Sequence, residues 1–403
     1  MQVFFDALFL KAGYNAALVG VGAALLGFAA GLAGVFLFLR KRALVSDAAA
    51  HATLPGIGIA FIVMVALGGD GRALAGLLLG AAASAWVGLW AIDWMTRRTR
   101  LGEDAAIGAI LSVFFGLGIV SLTVIQNLNQ GRQAGLEDFL LGSAAGMLWH
   151  DARLVAAVAG LTAVLVWGLR RPMILVAFDP DHAAAMGTNT RRMDLAMMAL
   201  VMAVTVIGLK LVGLVLIIAL LIIPAVTARF WTHRAEHTLW IAGFLGAGVG
   251  YVGAALSATV PALPTGPVIV LVAASVFTVS FLFSPKRGVA AAIIRRVRFQ
   301  VRVHRRQGLL ALARDEPIYD LQTLRVLRRD GLIGPDNTPT NAGAALAVQT
   351  AQDERRWKIA RTLHHDTGPN RRYDGLTPIE EVFTPDEIAT LDAHLSPPHL
   401  VKG

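Results

Sequence analysis

Asp47 and His51 stand four residues apart in "RKRALVSDAAAHATLPGIGIAF" (residues 40–61), a segment that turns apolar after its opening cations. A carboxylate and an imidazole at this spacing share one helix face, with Cβ atoms about 5–6 Å apart. Together they can grip one divalent cation, and zinc and manganese both accept the pair. A structural reading also fits: Ser46 or Asp47 caps a helix start, and His51 is a satisfied core residue. Spacing alone leaves the two readings level. An ionisable group inside an apolar span is costly and marks a functional candidate, which keeps the ligand reading open.

Other residues surround that pair in the sequence. Pro55 and Gly56 follow in "HATLPGIG" (51–58), where a loosened helix would expose backbone carbonyls to a cargo and an ordinary proline kink accounts for them equally well. Pro224 sits in "LVGLVLIIALLIIPAVTARFW" (211–231), which carries no charge until Arg229 and reads as a core helix lining a path. In "AFDPDHAAAMGTNTRRM" (177–193), Asp179 can cap a short helix, Pro180 fits its first turn, Asp181 lies within it and Gly187 ends it. A short helix between two apolar spans suits the docking of a cytosolic partner, with His182 simply carried on it. Glu103 with Asp104, and His150 with Asp151, open apolar spans. Carboxylates there complement the helix dipole or cap it.

These residues must be positioned by helices that cross a membrane. The chain has 403 residues, 56% hydrophobic and 16% charged, and a mean hydropathy of +0.62. Apolar runs near the ~20 residues of a membrane-spanning helix recur over 15–39, 44–67, 73–95, 105–126, 152–169, 192–209, 211–228, 239–259 and 267–284. That is about nine spans. Eight spans with one re-entrant piece is the alternative, because "GLEDFLLGSAAGMLW" (135–149) is short and amphipathic. Basic clusters at 40–42, 97–100, 170–171, 191–192, 228–234 and 285–288 fall on one side of the nine-helix arrangement. The positive-inside rule makes that side the cytoplasm, with the N-terminus outside and the C-terminus inside. The same distribution accounts for most of the net charge of +9 without nucleic acid. The N-terminal "MQVFFDALFLKAGYN" has no basic start of the signal-peptide kind, so the first helix is expected to be retained. Gly27, Gly31 and Gly34 fall on neighbouring positions of one helix and favour close helix approach.

Two absences narrow the chemistry. There is no cysteine, which leaves His, carboxylate, Met and backbone oxygen as metal donors. There is no Gly-Lys dipeptide and therefore no GxxxxGK[ST] phosphate loop, so any nucleotide chemistry of that type belongs to another subunit.

Residues 289–403 change character to polar and charged and read as a cytoplasmic domain separate from the membrane domain of 1–288. "LTPIEEVF" and "FTPDEIATL" each read as a Thr cap, Pro at the first helical position and Glu at the third. "DLQTLRVLRRDGLIGPDNTPTNAGAALA" (320–347) reads as helix, turn, wing and helix.

With these stretches in hand, the chain resembles the membrane permeases of the ABC-3 family. The 40–61 stretch resembles the family's second-helix motif, D-x-x-x-H-x-x-x-P-G. "LGEDAAIGAILSVFFGLGIV" (101–120) resembles its central D-x-x-IG motif, and "FDPDHAAAMG" (178–187) its coupling segment. "LKLVGLVLIIALLIIPAVTAR" (209–229) and "LPTGPVIVLVAASVF" (263–277) complete the likeness, which runs over roughly residues 10–288.

The resemblance implies an all-α polytopic fold of the type II importer kind in a bacterial cytoplasmic membrane. It implies import of zinc, manganese or iron, with no cofactor resident in this chain and no catalysis by it. It implies two cytosolic ATPase subunits, a second permease protomer (identical or a sister chain) and an extracytoplasmic metal-binding protein. It makes Asp47 and His51 the metal-coordinating pair of the pathway, and a two-fold dimer would bring two such pairs near its axis. The tail resembles, more faintly, the winged-helix part of DtxR-type repressors. In that setting Arg325, Arg328 and Arg329 would face DNA phosphates, although a solvated helix face explains them better and no nucleic acid is expected. "HHD" (364–366) reads as an exposed loop. Two further readings remain: a stand-alone secondary cation transporter or channel, and a membrane-tethered regulator acting through the tail.

Overall fold

The computed structural model describes residues 2–40, 42–69, 71, 73–127, 147–260, 263–363 and 375–395. Most of "GLEDFLLGSAAGMLW", and the "HHD" loop, lie outside the described residues. The chain divides into two compact units, Met1–Ala290 and Ala291–Gly403.

The first unit is built entirely of helices among the described residues. A short α1 (Gln2–Leu8) precedes α2 (Tyr14–Leu39), α3 (Ala43–Ala66), α4 (Leu74–Arg98), α5 (Glu103–Asn127), α6 (Trp149–Phe178) and the short α7 (Pro180–Ala185). Then come α8 (Thr190–Val212), α9 (Leu214–Trp231), α10 (Ala235–Ser257) and α11 (Thr265–Phe283). Eight of these are long and apolar enough to cross a membrane: α2–α6, α8, α10 and α11. The ninth expected apolar run forms a helix, α9, but at 18 residues it is shorter than those eight. At about 1.5 Å per residue it is roughly 27 Å long, just under a bilayer's apolar thickness.

Helix α2 is the centre of the bundle and packs against α6, α8, α9 and α10. Its middle is buried almost without break from Ala29 to Leu37. Small residues make this possible. A Cβ placed on Gly27 would lie 2.1 Å from the Gly246 carbonyl oxygen of α10. One on Gly34 would lie 1.7 Å from the Leu221 oxygen of α9. The three glycines of this stretch therefore serve two partners, Gly27 and Gly31 facing α10 and Gly34 facing α9. Helix α3 packs with α4 and α5 as a second group, and α8 touches both groups.

The fifth span differs most from expectation. The apolar run ends at residue 169, yet α6 continues for nine more residues, through Pro172, to Phe178. Arg170 and Arg171 mark where the surroundings become polar, not where the helix stops. Arg170 stacks 4.3 Å over the Trp167 ring and reaches Glu236 of α10 at 3.7 Å, so the helix stays supported beyond the apolar run.

In the second unit, α12 (Val289–Ala313, which begins just inside the first), α13 (Leu321–Arg329) and α14 (Asn341–Leu363) enclose Leu309, Leu327, Leu332, Ile333 and Ala347. Between α13 and α14 a single antiparallel bridge, Ile333 to Pro339, forms a minimal hairpin. Arg328 is tied to that hairpin, donating to the Asn337 side chain at 2.8 Å and the Pro335 carbonyl at 3.2 Å. "FTPDEIATL" forms α15 (Pro385–Ala393) with Thr384 capping and Glu387 returning to the Thr384 amide at 2.8 Å. "LTPIEEVF" instead makes only a 3₁₀ turn at Ile379–Glu381. Ile379 and Phe383 are both drawn onto buried Trp357, whose indole donates to the Thr377 carbonyl at 3.1 Å. That anchoring replaces the expected helix start.

Asp320 caps α13, accepting from the Thr323 amide at 2.9 Å and its hydroxyl at 2.6 Å. These bonds, led by the hydroxyl, hold its carboxyl below the ordinary value of 3.8. A depressed folded-state value adds stability above the unfolded pKa and loses it as pH falls through the folded one. Protection of the α13 amides in the full chain, exchange measured against the intrinsic rate at each pH, is therefore expected to fall on acidification through this range. In Asp320→Asn protection should be lower at neutral pH and change less with acid. Identical pH profiles for the two proteins would contradict the cap's role.

Candidate functional site

Helix α3 starts at Ala43, directly after Arg42, and no side chain caps it. Asp47 is therefore a second-turn residue, and the N-cap reading of Ser46 or Asp47 does not hold. The run Ala48–Ala49–Ala50 between the pair favours helix and keeps neighbouring helices close. His51 Nε2 lies 3.4 Å from Asp47 Oδ1, longer than a good N–H···O bond. The two side chains are 18% and 35% exposed, so Asp47 faces open space more than His51 does. The other imidazole nitrogen, Nδ1, is buried without a hydrogen-bond partner. Phe115 of α5 meets the imidazole edge-on, ring centres 5.1 Å apart. The ring is thus held by packing, with its polar atoms underused. An unsatisfied buried acceptor or donor costs about 1–3 kcal/mol, which a purely structural histidine would normally avoid.

The neighbourhood explains the small residues. A Cβ on Gly118 of α5 would meet Leu54 at 2.6 Å, and one on Gly56 would come within 2.1 Å of the Gly80 oxygen of α4. Gly56 is therefore the crossing point of α3 and α4. Helix α3 runs unbroken through Pro55, which excludes an unwound segment there. Pro55 has no N–H, so the carbonyl four residues back, that of His51 itself, lacks its usual helical donor. The motif thus concentrates a carboxylate, an imidazole and an under-bonded carbonyl within two turns. Among the described residues no cluster of three or more His, Asp or Glu side chains forms. One chain alone offers two side-chain donors.

The remaining predicted residues lie apart from the pair. Pro224 is buried within α9, which also continues through it. Asp179 caps α7, accepting from the His182 amide at 2.9 Å, with Pro180 at the first position. Asp181 is exposed on that helix, and Gly187 ends the turn with φ of 81°. Phe178 and Met186 flank α7 with 57% and 66% of their surfaces exposed. His150 and Asp151 act as a cap: Asp151 is buried, accepts from the Leu148 amide at 3.1 Å and sits 3.2 Å from His150.

Sequence reasoning missed a charged knot at the arginine-rich end of the bundle. Arg40, after α2, bonds Asp194 of α8. Arg42, before α3, pairs with Glu103 of α5 and approaches Asp194 at 3.6 Å. A cavity of about 410 Å³ opens beside it, lined by Trp90, Asp93, Glu103, Asp194, Arg40 and Arg42 among others. The "RKR" cluster signalled topology, but its partners lie far along the chain, 154 residues in the case of Arg40 and Asp194.

Comparison with known proteins bears directly on this arrangement. Residues 14–284 match the family described as the ABC 3 transport family. The chain belongs to that family. It is 39% identical over 309 residues to the manganese transport system membrane protein MntC of Bacillus subtilis, covering 76% of this chain and 70% of that one. It is 39% identical over 292 residues to the zinc transport system membrane protein TroC of Treponema pallidum, covering 72% and 95%. The solved structure of PsaBC from Streptococcus pneumoniae in complex with Fab aligns with a TM-score of 0.60 at 28% identity, over 70% of this chain and 96% of that one. The ABC-3 match ends where α11 ends, so α12 and everything after it lie outside the matched domain.

Asp194 is the shared anion of the knot. Asp194→Asn is expected to lower the stability of the bundle by about 1–3 kcal/mol, since two partly buried arginines lose their common partner. A thermal scan in detergent checks this. An unchanged transition would show that the knot contributes nothing to cohesion.

Proposed function

We propose that Asp47 and His51 form the station at which this ABC-3 permease hands a divalent metal ion across the membrane. The chain is the membrane subunit of a metal importer, and we assign manganese or zinc as cargo, with iron as a further candidate. The observation that carries the reading is the half-satisfied histidine: a packed ring with one buried, unpartnered nitrogen and the other loosely facing a carboxylate. Two donors from one chain are too few for storage and well suited to transient passage. A second protomer related by a two-fold axis would supply the complementary pair.

The energy must come from elsewhere, because the chain has no phosphate loop. In our reading a cytosolic ATPase docks on α7, whose exposed Phe178 and Met186 offer it apolar anchors, and a metal-loaded binding protein delivers cargo on the opposite face. The arginine-rich end of the bundle and the 291–403 unit then lie in the cytoplasm. A secondary transporter would need proton coupling through Asp47 and would work in vesicles without the ATPase.

Two outcomes test this. Asp47→Ala and His51→Ala should each reduce uptake by about tenfold or more while the chain still reaches the membrane, since each removes half of a two-donor set. Uptake across zinc, manganese, iron and cobalt in cells expressing the whole system reads it, and normal accumulation in either variant removes the station. Separately, Met186→Ser should weaken ATPase binding roughly tenfold, because burying a Met side chain is worth about 1.5–3 kcal/mol. Unchanged co-purification would place the docking surface elsewhere.

A further inference from the structure

Helix α12 carries apolar side chains on an exposed surface along its first half. Residues 292–300 are exposed throughout, although Ile293, Ile294, Val297 and Phe299 are among them. Their exposure ranges from 44% to 57%. Only the second half joins the tail's core, through Gly308 and Leu309.

The exposed half has a definite pattern. At about 100° per residue, Ile293, Val297, Val301 and Ile294 fall in one arc of roughly 100°. Arg298, Arg302 and Arg295 fill the neighbouring arc, and Arg296 flanks the apolar stripe on its other side. Phe299 lies off the stripe, beneath the Arg302 guanidinium at 6.0 Å. The helix contains six arginines and no acidic residue. It follows the last membrane helix after only five residues, 284–288.

We infer that the first half of α12 lies flat on the membrane surface, with its aliphatic stripe among the acyl chains and its arginines on anionic headgroups. A basic helix with an apolar stripe, at low overall hydrophobicity, has the character of an interfacial helix. A cluster of arginines directly after a spanning helix adds electrostatic attraction to an anionic leaflet. A nucleic acid would use the arginines but leave the stripe in water. A lipid surface uses both, and the short link from α11 keeps the helix within reach of it. The inference does not depend on the role of Asp47 and His51.

The absence of cysteine makes the test direct. Single cysteines at Val297→Cys, in the stripe, and at Ala292→Cys, on the far side, carry an environment-sensitive fluorophore in the full chain. The proteins are reconstituted in phosphatidylcholine vesicles with and without phosphatidylglycerol. In anionic vesicles, quenching by a shallow spin-labelled lipid should be roughly threefold or more stronger at 297 than at 292, and aqueous iodide should show the reverse order. Removing phosphatidylglycerol, or introducing R295Q, R298Q and R302Q together, should shrink that contrast. Equal quenching at the two positions, or a contrast indifferent to lipid charge and to the arginines, overturns the inference. Shielding of position 297 that appears only on adding the ATPase or duplex DNA also overturns it, by giving the stripe to a protein or a nucleic acid.

Discussion

A charge inside a low-dielectric span must be paired, solvated at a helix end, or used. Nearly every ionisable group in the described membrane helices obeys the first two options. Asp151 caps α6, Arg170 reaches Glu236, and Arg40 and Arg42 share Asp194 and Glu103. Asp47 and His51 do not fit so simply. They lie one and two turns inside α3, their mutual contact is loose, and one imidazole nitrogen has no partner. The bundle around them can be read as the means of keeping that exception affordable. Alanines and glycines bring α4 and α5 close, and Phe115 fixes the ring without satisfying it.

If the pair is the metal station proposed above, how it is held also bears on how it lets go. A saturated site would bind a divalent ion too well to release it. A ring oriented by an aromatic edge and a carboxylate left more open keep direction without full coordination. Pro55 adds to this by leaving the His51 carbonyl short of a donor, while Gly56 lets α4 approach closely where the helix continues through the proline. Rigid backbone with labile donors is a combination that packing, more than hydrogen bonding, can provide.

Much of this was legible in the sequence because membrane helices are written in one dimension. Apolar length gave most of the spans, and Asp179 and Pro180 gave the start of α7, with Gly187 just beyond its end at Ala185. The spacing of Asp47 and His51 gave their shared face. What stayed hidden depended on pairings distant in the chain. Arg40 was visible only as a positive charge, since nothing local names Asp194 as its partner. The end of α6 was misjudged because hydropathy reports the surroundings of a helix and not its hydrogen bonds. "LTPIEEVF" carried a sound helix-start pattern that lost to the burial of Ile379 and Phe383 against Trp357. Phe115, the residue that orients His51, is one of 18 phenylalanines and nothing in its own stretch distinguishes it.

The two ends of the permease domain solve related problems with different chemistry. At the start of α3, cations and carboxylates are tied to each other, so the helix ends are joined by charge. Beyond α11, α12 carries six arginines and no carboxylate of its own; Arg305 and Arg306 pair with Asp330 and Glu354, and the aliphatic stripe of its first half is exposed. In the membrane contact inferred above, anionic headgroups meet the arginines of that half and acyl chains its stripe. In this reading the tail contributes more than an appended soluble unit. It begins with a segment that registers the membrane's own charge, immediately after the helix that closes the transport domain.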